Sequence, residues 1–344
     1  MRKKLIFLTI IFISSVSLVI FLYYNTERIN DLDNHFQRTF APHVVESQKS
    51  YDFGNKSWYF SLATKNKVIL SNRRFINALL KINLNNFDTA TNILRIPRVP
   101  VHNPQMVFYG NSFYITDGTL GNIYKLLSNN RKPVLIYNKQ QFDVVVPISQ
   151  DVFIFRTFDL KNGFILGKLE SDKITAVSTF LESNRGNIMS NDGILISDDI
   201  NKKIIYVRYY KNGYIEADYN LKIRYKGKTK DTVNFANVTL GTPDKKGKIN
   251  VTSLPAVINK SAAVYNNLLF IHSALLADNE NRDFFKQSSV IDVYDLKKHK
   301  YRFSFYISDF KRQKIKEFKV VGNKMVVLFE NNFVVYQLNS KYFK

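Results

Sequence analysis

The sequence predicts an all-β domain of repeated four-stranded units that follows a single apolar helix. Three observations support this prediction. From about residue 43 onward, short apolar or alternating runs separated by Asn, Asp, Gly and Lys follow one another, and helical periodicity is hard to find. Similar segments recur along this region. The chain also has 28 Phe and 20 Tyr, an amount of aromatic surface that requires a folded core.

The first element is an apolar helix. Three cationic residues, Arg2 to Lys4, precede an uncharged run from Leu5 to Tyr24. At about 1.5 Å per residue, such a run has the thickness of a bilayer core. The charge asymmetry places the N-terminus in the cytoplasm and the rest of the chain outside it. Residues 1–24 are therefore predicted to be a single-pass signal-anchor in the cell membrane.

A cleaved signal peptide, which would leave a secreted or periplasmic protein, is the alternative. Its apolar region is normally shorter and ends at a small-residue cleavage site, which is absent from the run ending at Tyr24. Residues 25–42 are polar and are predicted to be a spacer between the membrane and a folded domain at residues 43–344.

A repeated motif defines the folded domain. Each copy has a polar or turn residue, then three or four large apolar residues, then a polar exit. Between equivalent apolar residues the spacings are 45, 40, 41, 75 and 57 residues, measured at Leu70, Ile115, Phe155, Ile196, Ile271 and Leu328. A short strand precedes each copy and one or two follow it. Four antiparallel strands in about 40 to 50 residues are typical of a β-propeller blade.

The spacing of 75 residues leaves the blade number open. It holds either one blade with a basic insertion near residues 220–258 or two weakly matching blades. We predict six blades, with seven as the alternative. The last copy lacks a fourth strand, whereas residues 43–50 have strand-forming content ahead of the first copy. We therefore predict that these residues pair with the last repeat and close the ring.

The arrangement resembles six-bladed propellers of the broad NHL-repeat and TolB-like type. The resemblance spans about residues 43–344 and rests on repeat length and strand pattern. It implies a fold and an exported, membrane-linked setting, and it transfers no catalytic residue.

Alignment of the repeats also aligns the polar residues at or near the end of each apolar run. If the runs are the second strands of their blades, these residues converge on one rim of the ring, where propellers bind ligands. Turn formation is the structural alternative for residues of these types. The candidate rim residues are Asn72, Asp117, Arg156, Asp198, His272 and Glu330.

Composition and motifs argue against several kinds of chemistry. With no cysteine, the chain has no disulfide, thiol nucleophile or thiolate metal site. The five histidines have no metal-ligand spacing, and the nucleophile-elbow, phosphate-loop and dinucleotide fingerprints are absent. We therefore expect no metal, no cofactor and no catalytic residue. The question of an enzyme stays open, because propellers can assemble sites from distant blades.

The formal net charge of +22 suggests an acidic partner. Much of the charge lies in Lys-rich turns, including the runs from Lys222 to Lys230 and from Lys297 to Lys300. Outside the cytoplasm, anionic lipid head groups or acidic polysaccharides fit this charge better than nucleic acid.

These features favour a membrane-anchored, extracytoplasmic propeller that binds a protein, peptide or glycan without chemistry. One alternative is a lyase or hydrolase acting on an acidic polysaccharide through Arg156, His272 and rim carboxylates. Another is a structural subunit of a cell-envelope complex that uses the basic insertion as its contact.

Overall fold

The computed structural model describes residues 2–29, 35–97, 99–126, 132–159, 163–178, 191–234, 239–240, 251–253 and 256–343. It contains two α-helices, α1 (Arg2–Ile29) and α2 (Arg282–Lys286), and a short 3-10 helix at Ser340–Tyr342. The strands are β1 (Val45–Asp52), β2 (Trp58–Ala63), β3 (Lys67–Asn72), β4 (Ala78–Asn83), β5 (Thr89–Ile93), β6 (Pro104–Tyr109), β7 (Ser112–Asp117), β8 (Asn122–Leu126), β9 (Pro133–Tyr137), β10 (Val144–Ser149), β11 (Val152–Asp159), β12 (Gly163–Glu170), β13 (Lys173–Ser178), β14 (Gly193–Asp198), β15 (Lys203–Arg208), β16 (Tyr214–Asp218), β17 (Ile223–Gly227), β18 (Thr239–Leu240), β19 (Val251–Ser253), β20 (Asn259–Tyr265), β21 (Leu268–Ser273), β22 (Ser288–Asp295), β23 (Lys300–Ser308), β24 (Glu317–Val321), β25 (Lys324–Leu328) and β26 (Asn332–Leu338).

The strands form six antiparallel four-stranded sheets, which are the blades of a propeller. Blades 1 to 5 are β2–β5, β6–β9, β10–β13, β14–β17 and β20–β23, and blade 6 is β24–β26 together with β1. The first strands β2, β6, β10, β14, β20 and β24 contact one another in sequence, and β24 contacts β2 again. This closed inner ring confirms the prediction of six blades.

Blade 6 closes the ring by combining both ends of the domain. Strand β1 pairs antiparallel with β26, from Val45 opposite Leu338 to Asp52 opposite Asn332. The pairing supplies the fourth strand that the last repeat lacks, so the predicted closure is confirmed. It also removes two strand edges that would otherwise be exposed to other chains.

The cores lie between neighbouring blades rather than at the centre of the ring. Between blades 6 and 1, for example, Phe60 and Leu70 pack with Phe333 and Val335. Leu70, Phe333 and Val335 are fully buried, and each such side chain stabilises the fold by about 1.5–3 kcal/mol relative to exposure. This packing explains the aromatic-rich composition, because large rings fill the wedge between two twisted sheets.

Blade 4 explains the irregular spacing of the repeats. The apolar run that ends at Ser197 is the first strand of this blade, β14, and the second strand is β15, with Tyr206 at the equivalent position. The predicted basic insertion near residues 220–258 begins with the fourth strand, Ile223–Gly227. The rest of it links blades 4 and 5 and includes the two-stranded sheet β18–β19.

The last part of the predicted spacer packs against blade 5. Phe36 and Arg38 are 5% and 4% exposed. Ser304 of β23 donates its backbone N–H to the carbonyl of Thr39 at 2.8 Å and accepts from Ala41 at 3.0 Å. From His35 onward, the chain is therefore part of the folded unit, although its polar composition predicted a spacer.

Helix α1 precedes this segment. All its described side chains from Ile6 to Leu22 are exposed. Within the residues that the structure describes, no helix combines the length and the hydropathy that a membrane crossing requires.

The two ends of the ring differ in which strands begin and end there. At one end, here called the upper face, the first strand of each blade begins and the second strand ends, as shown by Trp58 opposite Asn72 and Pro104 opposite Asp117. The connections from the second to the third strand also lie there. The opposite end is called the lower face.

Candidate binding cleft

Five of the six predicted rim residues lie at the upper face. Asn72 and Asp117 end second strands, Arg156 and His272 lie near the ends of theirs, and Glu330 follows β25. Asp198 instead ends β14, a first strand, and therefore lies at the lower face. The prediction of a single rim is wrong for this residue, because β14 and β15 are both apolar and the sequence pattern did not distinguish first from second strand.

Three of these residues hold the turns that they begin. Asn72 accepts the backbone N–H groups of Arg74 and Phe75 at 2.9 and 3.2 Å. Asp117, fully buried, accepts that of Asn103 at 2.9 Å, and Asp198 accepts that of Asn201 at 3.2 Å. Such side-chain bonds replace backbone pairing where a strand ends. Their observed contacts are structural, and ligand binding by them stays a prediction.

Glu330 and His272 have different surroundings. The Glu330 carboxylate is half exposed and forms an ion pair with Lys56. His272 is buried, and its Nδ1 has no hydrogen-bond partner within the described residues. Burial and then the charges of Lys260 and Lys314 lower the pKa of His272 to about 3. This imidazole is therefore neutral at physiological pH and is enclosed between blades 5 and 6.

Arg156 organises the junction of blades 3 and 4. Its Nε donates to both carboxylate oxygens of Asp143 at 3.0 Å, and its Nη1 donates to the Gly193 carbonyl at 2.7 Å and to the Tyr206 hydroxyl at 2.8 Å. Its guanidinium also lies 4.5 Å from the centroid of the Phe164 ring. Burial alone would lower the pKa of Arg156, but Asp143, Tyr206 and Asp192 raise it above its ordinary value. Arg156 is thus a permanently charged structural support.

A cleft opens at the upper face beside this junction, between blades 2 and 3. Its volume is about 510 Å³, within the usual range for ligand sites. The lining combines hydrogen-bonding and aromatic side chains. The lining residues are Asn103, Gln105, Thr116, Gly118, Thr119, Gln141, Phe142, Asp143, Val145, Thr157, Phe158 and Phe164.

The chemistry of the cleft is mainly that of neutral polar groups beside an aromatic ring. In the described part of the chain, the side-chain amides of Asn103 and Gln105 have no hydrogen-bond partner, so each offers donors and an acceptor to a ligand. Phe158 is 44% exposed at the same opening. Asp143 is the one ionisable residue of the lining, and Arg156 neutralises it. The cleft therefore suits a neutral polar ligand that also has apolar groups.

Gly118 builds one wall of the cleft. Its carbonyl accepts the N–H of Phe142 at 3.1 Å. A Cβ atom at Gly118 would lie 1.9 Å from the carbonyl oxygen of Phe142, so this close approach of two backbones requires glycine. The Asp117-Gly118 pair was a visible turn signal in the sequence, but nothing in the pattern connected it with residue 142.

The arrangement does not favour the catalytic hypothesis based on Arg156 and His272. These residues belong to blades 3 and 5, and each is buried among its own neighbours. Across the described ranges, no group of three or more His, Cys, Asp or Glu residues could hold a metal ion.

Comparisons with known proteins add the following. No protein-family model matches this chain, and no curated protein matches it. BamB from Moraxella catarrhalis has 8% identity, with 86% of this chain and 98% of that chain covered and a TM-score of 0.45. The Pan2 WD40 domain of Neurospora crassa has 8% identity, coverage of 88% and 98%, and a TM-score of 0.45. A structural-genomics protein of unknown function from Bacteroides thetaiotaomicron has 10% identity, coverage of 88% and 75%, and a TM-score of 0.47.

These similarities define no family and assign no residue. The fold class follows from the strand pairings of this chain itself, which form a six-bladed propeller at the level of the NHL-repeat and TolB-like resemblance.

Proposed function

We propose that this protein is a non-catalytic binding module that holds an extended segment of a partner protein on its upper face. The observation that carries the proposal is the cleft, where the unpaired amides of Asn103 and Gln105 lie beside the exposed ring of Phe158. Peptide groups pair with side-chain amides through the same donors and acceptors, and an apolar side chain of the segment would cover the ring.

Exposed apolar side chains around the cleft support a protein partner over a small molecule. Phe75, Leu120, Phe158 and Phe284 are 64%, 43%, 44% and 49% exposed. Each lies at or after the end of a second strand, in a different blade, and so on the upper face. Apolar groups presented repeatedly on one face are typical of an interaction surface.

A peptide-selection experiment tests this function. A random peptide library displayed on phage is panned against the full chain in nanodiscs, and the affinities of enriched peptides are measured by calorimetry. We expect Gln105→Ala and Phe158→Ala to weaken binding about tenfold or more, the equivalent of about 1.4 kcal/mol.

The matched control is Ile200→Ala, which removes an apolar side chain that is 62% exposed on the lower face. This variant should bind like the wild type. Equal binding by all three variants would show that the cleft is not the site. Enrichment of no peptide, together with binding to a neutral oligosaccharide array, would show that the ligand class is wrong.

We further propose that α1 anchors the propeller to the cell membrane, with the N-terminus in the cytoplasm and the propeller outside it. The apolar, uniformly exposed side chains from Ile6 to Leu22 and the preceding cations support this proposal. Because the chain has no cysteine, a single Asn86→Cys substitution allows a clean topology test. A membrane-impermeant thiol reagent should label this variant in intact cells of a bacterial host. Labelling only after cell lysis would contradict the orientation, and the mass of the purified protein distinguishes a retained from a cleaved helix.

A further inference from the structure

Two basic runs that are about 70 residues apart in the sequence meet on the lower part of blades 4 and 5. Tyr225 of β17 stacks on His299, with ring centroids 3.5 Å apart and planes at 19°. His299 precedes β23, so the stack joins the outer strand of one blade to that of the next. The fold thereby converts two separate turns into one continuous surface.

This surface, called the basic patch, has seven exposed cationic side chains: Lys222, Arg224, Lys226, Lys228, Lys297, Lys298 and Lys300. The carboxylates beside it are already engaged. Asp218 binds Arg224 at 2.7 Å, and Asp295 accepts the backbone N–H groups of Lys297 and Lys298 at 2.9 Å. Glu216 is buried and pairs with Lys203 at 2.9 Å and with His299 at 3.2 Å. The basic patch therefore keeps a large positive excess.

The segment that follows α1 is attached next to the basic patch. Thr39 donates its backbone N–H to the Tyr301 hydroxyl at 3.1 Å. The Lys230 ammonium lies 5.2 Å from the centroid of the same Tyr301 ring. The chain from the N-terminal helix thus joins the propeller beside its most basic surface.

The short connection limits how far the propeller can move from the helix. Six Cα steps separate Ile29, the last residue of α1, from His35, where the described chain resumes. Fully extended, these steps span at most about 22 Å. A bilayer that holds α1 would therefore keep blade 5 within reach of its head groups.

We propose that the basic patch binds the anionic phospholipid head groups of the membrane in which α1 is anchored. This proposal rests on the membrane anchoring proposed above. Each Lys or Arg close to an anionic bilayer attracts it over roughly a Debye length, about 10 Å at 0.1 M salt. Because the patch belongs to the lower part of blades 4 and 5, the contact directs the upper face, with its cleft, away from the membrane.

Energy transfer in nanodiscs tests the orientation. The full chain carries a donor dye at Asn220→Cys beside the basic patch, or at Asn86→Cys in blade 1 on the same face. The nanodiscs contain phosphatidylcholine alone or with phosphatidylglycerol, and a head-group acceptor. With anionic lipid we expect the transfer efficiency at residue 220 to rise about twofold, and to fall back in roughly 0.5 M salt, where the Debye length is only a few Å. Residue 86 should show no such change.

Charge variants make the test specific. Substitution of Lys222, Lys297, Lys298 and Lys300 by Gln should abolish the lipid-dependent rise at residue 220. The matched control, in which Lys49, Lys65, Lys67 and Lys81 are replaced by Gln, removes the same number of exposed charges from blades 6 and 1 and should preserve it.

The outcomes are distinct. A chain that washes out of the nanodiscs would overturn the anchoring and this proposal with it. A retained chain whose transfer at residue 220 ignores lipid composition, salt and the four lysines would overturn the lipid contact alone. The same overturning result would be binding of soluble polygalacturonate through these lysines without any lipid effect, which would assign the patch to an acidic polysaccharide.

Discussion

Replacement of Arg38 by alanine should destabilise the whole propeller, although this residue lies in a segment with the composition of a spacer. The side chains of Arg38 and Glu280 are fully buried, and that of Asp292 is 5% exposed. Arg38 binds Asp292 through Nε at 2.8 Å and through Nη2 at 3.2 Å, and it also pairs with Glu280. Further bonds reach Ser273 Oγ at 2.7 Å and the Leu275 carbonyl at 2.9 Å.

The expected magnitude follows from the charges left behind. The Arg38→Ala variant leaves two buried carboxylates without their cation, and the loss of one partner of a buried pair costs about 3–5 kcal/mol. At roughly 2–4 °C per kcal/mol, the Tm should fall by about 6–20 °C. Urea unfolding followed by tyrosine fluorescence and a calorimetric scan of the full chain measure both quantities.

Two further variants separate the cause of the effect. Arg73→Ala removes an exposed arginine that lies only over the Tyr59 ring, at 5.3 Å, and should cost less than about 1 kcal/mol. Arg38→Met combined with Glu280→Gln and Asp292→Asn removes the charges together and should be more stable than Arg38→Ala alone. A loss below about 1 kcal/mol in Arg38→Ala would refute the argument that this segment is integral to blade 5.

Three other changes probe different parts of the fold. The pKa of His272 is about 3 in the folded chain against about 6.5 unfolded, so stability should fall as the pH drops from about 6.5 towards 3, by up to about 1.4 kcal/mol per pH unit; urea titrations should show a flatter profile in His272→Gln. Ser50→Pro in β1, opposite Val334, should weaken ring closure by about 3 kcal/mol or more, and unchanged amide-exchange protection of β26 would contradict this. Gly167→Ala places a Cβ 2.4 Å from Phe155 Cζ and should cost about 1–3 kcal/mol, which Phe155→Leu should partly restore in a thermal scan.

The regular parts of this fold were predictable because each blade repeats one physical problem. Every second strand must be apolar on both faces, since it is covered by neighbours on either side. The missing fourth strand of the last repeat and the extra strand at Val45–Asp52 then required each other. The blade number followed once closure was assumed.

The position of blade 4 and the role of Arg38 were not predictable in the same way. In blade 4 the first and second strands are both buried, so apolar content does not tell Leu195 from Tyr206. Arg38 is bound to Asp292, 254 residues further along the chain. No local pattern encodes such a pairing, because the sequence shows a charge but not whether it is enclosed.

The location of the cleft follows from how the propeller uses its polar residues. A residue that ends a second strand must satisfy the turn that it begins, and Asn72 and Asp117 accept backbone N–H groups for this reason. A residue at the start of a first strand has no such turn to hold. Asn103 and Gln105 lie there and keep their amides unpaired within the described chain. Aligned strand ends therefore indicate where turns form, whereas the connection that enters each blade supplies the groups free to bind.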